Sequence, residues 1–290
     1  MTAPVLPAPL VSAQWLADHL GADDLVVVDA SVVSFTQPNG KAGSLSGHEQ
    51  YIADGHIPAA VFGDLIDEFS DPDGRFPFTR PTAERFAAAA GALGIGPDTA
   101  VVIYDTAVGQ WAARLWWLLR AFGHDRAAVL DGGLTAWVAE GRPTERGHVE
   151  PSVATFVAAE RPDAWVDKAY VEAVVRGEVD AALVCSVPPK EFTGETPSRD
   201  RAGHIPGSTS VPAGRLVDRD ARTTLPDEQL RGILAPVLDA SRIVVYCNGG
   251  IAAAAAALQL VRLGESDVAL YDGSLNEWAA DVDAPLVTTV

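Results

Sequence analysis

The strongest constraint on this chain is that it carries the same run of landmarks twice. His56-Ile57-Pro58-Ala59 is answered by His204-Ile205-Pro206-Gly207, and an apolar run ending in Tyr104-Asp105 by one ending in Tyr246-Cys247. Leu130-Asp131-Gly132-Gly133 is answered by Tyr271-Asp272-Gly273-Ser274. Asp105 to Asp131 spans 26 residues and Cys247 to Asp272 spans 25, while Asp131 to Trp137 and Asp272 to Trp278 are both 6. Landmarks in one order at matched spacing indicate a duplicated domain. The 290 residues leave room for both copies, at about 150 residues per domain.

Each copy alternates short apolar strands with helical stretches. Strands are expected near Leu25–Asp29, Val101–Asp105 and Ala128–Leu130, then near Ala182–Cys185, Ile243–Cys247 and Val268–Tyr271. Continuous apolar strands between helices give an α/β fold, a parallel sheet covered by helices on both faces, here formed twice. Ser12 is an N-cap for a helix over Ala13–Leu20 that ends at Gly21. An amphipathic helix is expected over Gln110–Phe122, its Trp116 and Trp117 serving core or interdomain packing. Pro143, Gly147, Pro151 and Pro162 break any pattern, so the expected divisions are a first domain over 1–141, a connector over 142–165 and a second domain over 166–290. A ligand cleft is expected between the two halves.

Composition excludes several classes. The formal net charge of −18 argues against nucleic acid and anionic membrane as partners. No apolar run reaches the roughly 20 residues of a membrane span, and Met1–Leu10 has neither the basic start nor the apolar stretch of a secretory signal. Two cysteines rule out a disulfide scaffold and fit a reducing cytoplasm. A small anionic substrate would be opposed by the global field, so its site must carry local positive potential.

The chemistry concentrates in Tyr246-Cys247-Asn248-Gly249-Gly250-Ile251, where a strand runs through a cysteine into a glycine loop and a long alanine-rich helix from about Ala252 to Leu263. A thiol there faces a bowl of backbone N–H groups at the positive end of a helix, a setting that favours thiolate. The plainer alternative is a small buried hydrophobe ending a strand. A cysteine phosphatase would need an arginine six residues on, where Ala253 stands, and a dithiol redox enzyme would need a Cys-x-x-Cys pair, which is missing.

With its tandem His-Ile-Pro domains, a cysteine only in the second copy's loop, and Asp-Gly-Ser after the next strand, the chain resembles the two-domain rhodaneses, the thiosulfate and 3-mercaptopyruvate sulfurtransferases. The stretch from Val101 through Trp116-Trp117 to Gly133 is especially similar to the mercaptopyruvate branch. The resemblance implies a ping-pong reaction without metal or organic cofactor. Cys247 would take the outer sulfur of a small anionic donor as a persulfide and pass it to cyanide or a thiol. The N–H groups of Asn248, Gly249, Gly250, Ile251, Ala252 and Ala253 would hold the sulfur anion. Asp105 replaces the cysteine in the first copy, which is expected to be structural and to form one wall of the cleft.

The chain also departs from that family's pattern. Its loop has no cation and no hydroxyl, and Val187 and Glu191 stand where the resemblance leads one to expect two anion-binding arginines. Lys190, Arg199 and Arg201 are the cations available to replace them. His56 is a candidate to orient substrate or relay a proton, against a turn role suggested by its repeat, His204. Asp272 and Ser274 are further candidates near the site, Ser274 either bonding close to Cys247 or capping a helix beginning at Leu275. Cys185, in the slot of the family's usual aspartate, either packs in the core or lies near Cys247 and resolves its persulfide as a disulfide. The competing functional class is a degenerate rhodanese that binds a sulfur-carrying or regulatory partner without turnover.

Overall fold

The computed structural model describes residues 4–38, 42–196, 199, 201–218 and 220–289; the first three residues of the segment weighed as a signal lie outside them. In the first half, β1 (Leu10–Val11) and α1 (Ala13–His19) precede β2 (Leu25–Asp29), a hairpin of β3 (Val32–Thr36) and β4 (Ala42–Ser46), α2 (His48–Asp54) and β5 (Val61–Phe62). Then come α3 (Ala83–Ala92), β6 (Ala100–Tyr104), α4 (Gln110–Ala121), β7 (Ala127–Leu130) and α5 (Gly133–Ala139). The second half runs β8 (Trp165–Val166), α6 (Lys168–Val175), β9 (Ala182–Cys185), α7 (Pro189–Thr193), β10 (Thr209–Ser210) and α8 (Asp227–Leu234). It closes with β11 (Ile243–Tyr246), α9 (Ile251–Arg262), β12 (Val268–Tyr271) and α10 (Ser274–Trp278).

The strands form two parallel sheets of matching order, β5-β2-β6-β7-β1 and β10-β9-β11-β12-β8. The buried central strands are the apolar runs expected from sequence. The edge strands β1, β5, β8 and β10 have two residues each, too few to show a period. The antiparallel β3–β4 hairpin was also unforeseen. Two boundaries matter for chemistry: the strands stop at Tyr104 and Tyr246, leaving Asp105 and Cys247 as the first residues of the loops, where the chain turns toward the following helix.

Helix α1 begins as expected, with Ser12 Oγ accepting from Trp15 N at 3.1 Å and Gly21 in the left-handed region at φ 83°. Helix α4 corrects the amphipathic expectation, since ten of its twelve residues are buried. It lies between its own sheet and α9 of the other half, so both faces need apolar side chains. The alanines of α9 let the two helices approach closely, and Leu115, Trp117 and Leu118 share one core with Ala254, Ala257 and Leu258. Fully burying a large apolar side chain stabilises by roughly 1.5–3 kcal/mol, so this seam ties the halves together. A smaller core of Val11, Leu16, Val27, Ile57 and Trp137 lies in the first half.

The connector has no helix or strand between 146 and 161. It follows the first half, with Ala154 N donating to Gly91 O at 2.9 Å and Arg161 N to Ala121 O at 2.8 Å.

Candidate active site

The first copy shows what its loop is built to hold. Asp105 Oδ1 accepts from Ala107 N and Gly109 N, both at 2.9 Å, and Oδ2 accepts from Trp111 N at 2.9 Å and Ala112 N at 3.1 Å. Four backbone donors thus converge on one anionic group at the start of α4, the arrangement that suits an anion at a helix N-terminus. Complete burial pushes the Asp105 carboxyl up from its ordinary range, and the four N–H bonds pull the other way.

In the second copy the loop is one residue shorter and a thiol takes the carboxylate's place. Gly250, the residue before α9, has φ 81°, as Gly109 does before α4. Cys247 is only 3% exposed. Its N–H donates to Ser274 Oγ at 3.1 Å, Ser274 Oγ donates to Tyr271 O at 2.8 Å, and Cys247 O accepts from Leu275 N at 3.0 Å. Asn248 O accepts from Asn276 N at 3.0 Å. The start of α10 is therefore docked on the cysteine loop. Ser274 does not cap that helix, whose N-cap is Gly273 without a side-chain bond.

Ser274 holds a left-handed φ of 50°, where the first copy has Gly133 at 54°. A Cβ on Gly133 would come within 2.2 Å of Asp105 O, so the first copy cannot carry a side chain there. The second copy carries one in a conformation that disfavours it, and its hydroxyl is what fixes the Cys247 backbone. Gly250 is constrained twice, by its φ and by space: an added Cβ would lie 2.8 Å from Arg114 Nη1 and 3.1 Å from Asp272 Oδ1.

The candidate cations separate clearly. Arg199 comes to the loop: Nη2 lies 2.6 Å from Glu191 Oε1 and donates to Asn248 Oδ1, while Asn248 Nδ2 donates to Glu191 Oε2 at 3.3 Å. Lys190 is exposed, at 4.0 Å from Glu195. Arg201 ties down the chain end, donating to Asp281 O and to Ala284 O at 2.6 Å.

His56 is fully buried in the first half, stacked on Tyr51 with centroids 4.0 Å apart, its ring nitrogens 3.1 Å from Ile57 O and Gly147 O. His204 stacks on Phe192 at 3.5 Å, with Nδ1 2.8 Å from Phe192 O. The following residues, Ile57 and Ile205, donate their N–H groups to Tyr104 and Tyr246 hydroxyls at 3.2 and 3.1 Å. Each His-Ile-Pro element thereby anchors the tyrosine that ends the central strand.

Cys185 pairs in register with Tyr246, beside the start of the loop. Both cysteines are free thiols. Burial pushes the Cys185 thiol up to about 12, so it stays protonated at neutral pH, whereas resolving a persulfide requires a thiolate.

Sequence reasoning gave the first half one wall of the cleft but named neither Arg114 nor Arg80 there. Arg114 of α4, 1% exposed, places Nη2 2.7 Å from Asp272 Oδ1 and 2.8 Å from Phe78 O. Asp272 Oδ2 accepts from Arg80 N at 2.8 Å. A segment of the first half, 77–80, is thereby held against the cysteine loop, with Pro77 O 3.5 Å from where a Gly249 Cβ would stand. The available signal was a charged residue inside the otherwise apolar run Trp111–Leu119. A hollow of about 370 Å³ also opens between the halves, lined by Arg80, Trp165, Tyr271, Asp272 and Glu277 but not by Cys247. Among the described residues, no three His, Cys, Asp or Glu side chains are grouped to hold a metal.

Fold and site together define a tandem α/β protein in which the loop that cradles a carboxylate in the first copy is matched by a loop that carries a thiol in the second. The Rhodanese-like domain family matches residues 12–140 and 177–281, and the chain belongs to the rhodanese family of sulfurtransferases. It is 34% identical over 282 residues to the 3-mercaptopyruvate sulfurtransferase of Escherichia coli K12, covering 95% of this chain and 96% of that one. It is 33% identical over 285 residues to the thiosulfate sulfurtransferase of Gallus gallus, covering 95% of each. The crystal structure of the Escherichia coli 3-mercaptopyruvate enzyme SseA superposes with a TM-score of 0.81 at 32% identity, covering 92% of this chain and 98% of that one.

Proposed function

We propose that Cys247 is the nucleophile of this sulfurtransferase and that its donor is a small anion of the 3-mercaptopyruvate or thiosulfate type. The Cys247 thiolate attacks the donor's outer sulfur. With thiosulfate the sulfur–sulfur bond breaks and sulfite leaves; with 3-mercaptopyruvate the carbon–sulfur bond breaks and the enolate takes a proton to give pyruvate. The resulting persulfide is attacked at its terminal sulfur by cyanide or a thiolate, and Cys247 leaves as thiolate.

The observation that carries this reading is the Asp105 carboxylate, bound by four backbone N–H groups in the first copy. The related loop over Asn248–Ala253 supplies donors of the same kind to a persulfide anion, with no acceptor required. Arg199 is the cation for the donor anion, oriented by Glu191 and Asn248. The charge of −18 opposes a small anionic donor at long range, which makes the local guanidinium necessary, and two free thiols support a cytoplasmic setting. Among the described residues, no helix is long and apolar enough to cross a membrane.

Parallel steady-state assays with each donor, using cyanide as acceptor, test the reading in wild type and Arg199→Met. Losing a charge-assisted hydrogen bond costs about 1.5–3 kcal/mol, so KM for the preferred donor rises tenfold or more. An unchanged KM removes Arg199 from the site, and no turnover with either donor leaves only binding without transfer.

A further inference from the structure

We propose that Arg114, in the half that has no thiol, is a positioning residue for the sulfur chemistry of the other half, acting through a clasp that fixes the Cys247 loop. This inference rests on the reading of Cys247 as nucleophile. The two copies are related as mirrored partners at their seam, and each lays a loop across the other's cradle. In one direction, Asp272 accepts from Arg80 N at 2.8 Å; in the other, Asp131 accepts from Thr224 N at 2.7 Å. Each loop carries a left-handed non-glycine residue two positions earlier, Phe78 at φ 62° and Arg222 at φ 57°. The paired loops are thus one device used twice.

On the mirror side the exposed Arg222 reaches Thr135 Oγ1 at 3.5 Å, whereas the thiol side adds a buried guanidinium from the facing long helix. Arg114 is the fifth residue of α4, and Ala255 is the fifth of α9. Arg114 Nη2 joins Asp272 to Phe78 O, while Nη1 lies against Gly250, 2.8 Å from the position of a Cβ there. That nitrogen makes no hydrogen bond to a protein atom among the described residues. Its positive charge therefore rests behind the backbone that turns around Cys247. On the mirror side Gly109 has nothing within 4 Å of an added Cβ. The asymmetry coincides with the presence of the thiol, which a purely architectural contact would not require.

The mirror clasp supplies a matched control. Sulfur loading from thiosulfate and from 3-mercaptopyruvate, followed by intact mass against time at several donor concentrations, separates maximal rate from half-saturation. Hydrogen exchange of the amides over Asn248–Ala253 reports the loop without reference to sulfur. Arg114→Met and Asp272→Asn are expected to lower the maximal rate tenfold or more, with half-saturation changed less than twofold and loop exchange at least tenfold faster. Arg114→Lys, which keeps the charge, is expected to recover part of the rate. Asp131→Asn takes the charge from the corresponding bond on the other side and so weakens it, and it is expected to lower Tm while leaving loading and Asn248–Ala253 exchange unchanged.

Equal rates per thiol in Arg114→Met, Asp272→Asn and Asp131→Asn overturn the proposal, as does equal slowing in all three. If Arg114→Met does not fold, Arg114→Lys and Asp272→Asn decide. If Cys247→Ser still loads sulfur, the nucleophile assignment falls, while the exchange contrast between Asp272→Asn and Asp131→Asn still decides whether the clasp positions the loop.

Discussion

Replacing Ser274 by alanine and by glycine separates two opposing energies at the cysteine. Ser274 is fully buried at φ 50°, its Oγ accepting from Cys247 N and donating to Tyr271 O. Ser274→Ala keeps a Cβ, and so keeps the left-handed strain, but leaves the buried Cys247 N–H without its acceptor, a loss of about 1–3 kcal/mol. Ser274→Gly loses the same bonds and relieves roughly 1 kcal/mol of backbone strain. The glycine variant is therefore expected to be about 1 kcal/mol more stable than the alanine variant, and both less stable than wild type. Gly133, at φ 54° in the other copy, shows that this backbone accepts glycine. Urea unfolding of the three proteins at one pH reads the order directly. A glycine variant no more stable than the alanine variant would refute the claim that strain is held at Ser274 to fix the Cys247 backbone.

Two further outcomes follow from the first copy. Asp105→Asn replaces one of two carboxylate oxygens with a donor, orphaning two of the four converging N–H groups; at about 1–3 kcal/mol for each, urea unfolding should show a loss of roughly 2–6 kcal/mol, and a loss below 1 kcal/mol would contradict the cradle. Burial lifts the Asp29 carboxyl to about 6 from an ordinary 3.8. Because the folded value is the higher, its stabilising contribution is complete below pH 3.8 and disappears as pH rises through 6, a change of about 3 kcal/mol. Asp29→Asn should therefore flatten the stability profile between pH 4 and 8 by that amount, and parallel profiles for the two proteins would exclude the assignment.

The duplication and the central strands were legible because long apolar runs and repeated Tyr, Asp and His-Ile-Pro landmarks lie along the chain itself. The hairpin and the two-residue edge strands were not, since their place depends on sheet neighbours. The thiol's setting was legible in Cys247, Gly249 and Gly250, and Ser274 was named with two alternatives that the backbone geometry separates. Arg114 was hidden because Phe78 lies 36 residues away in the chain and Asp272 meets it only when the halves fold together. Val187 and Glu191 were visible as missing arginines, yet the return of Arg199 to Asn248 depends on the path of the loop after α7. The first copy, expected to be structural, also provides the most direct physical picture of the second: a carboxylate held by the kind of N–H cradle proposed for the persulfide.

Intact-mass measurement after incubation with 3-mercaptopyruvate or thiosulfate reads directly whether Cys247 takes up sulfur. A single added sulfur is expected on the wild-type chain, removed by cyanide and absent from Cys247→Ser, while Cys185→Ser still takes it up. A sulfur adduct that survives in Cys247→Ser, or no adduct on wild type with either donor, would contradict the reading of Cys247 as nucleophile.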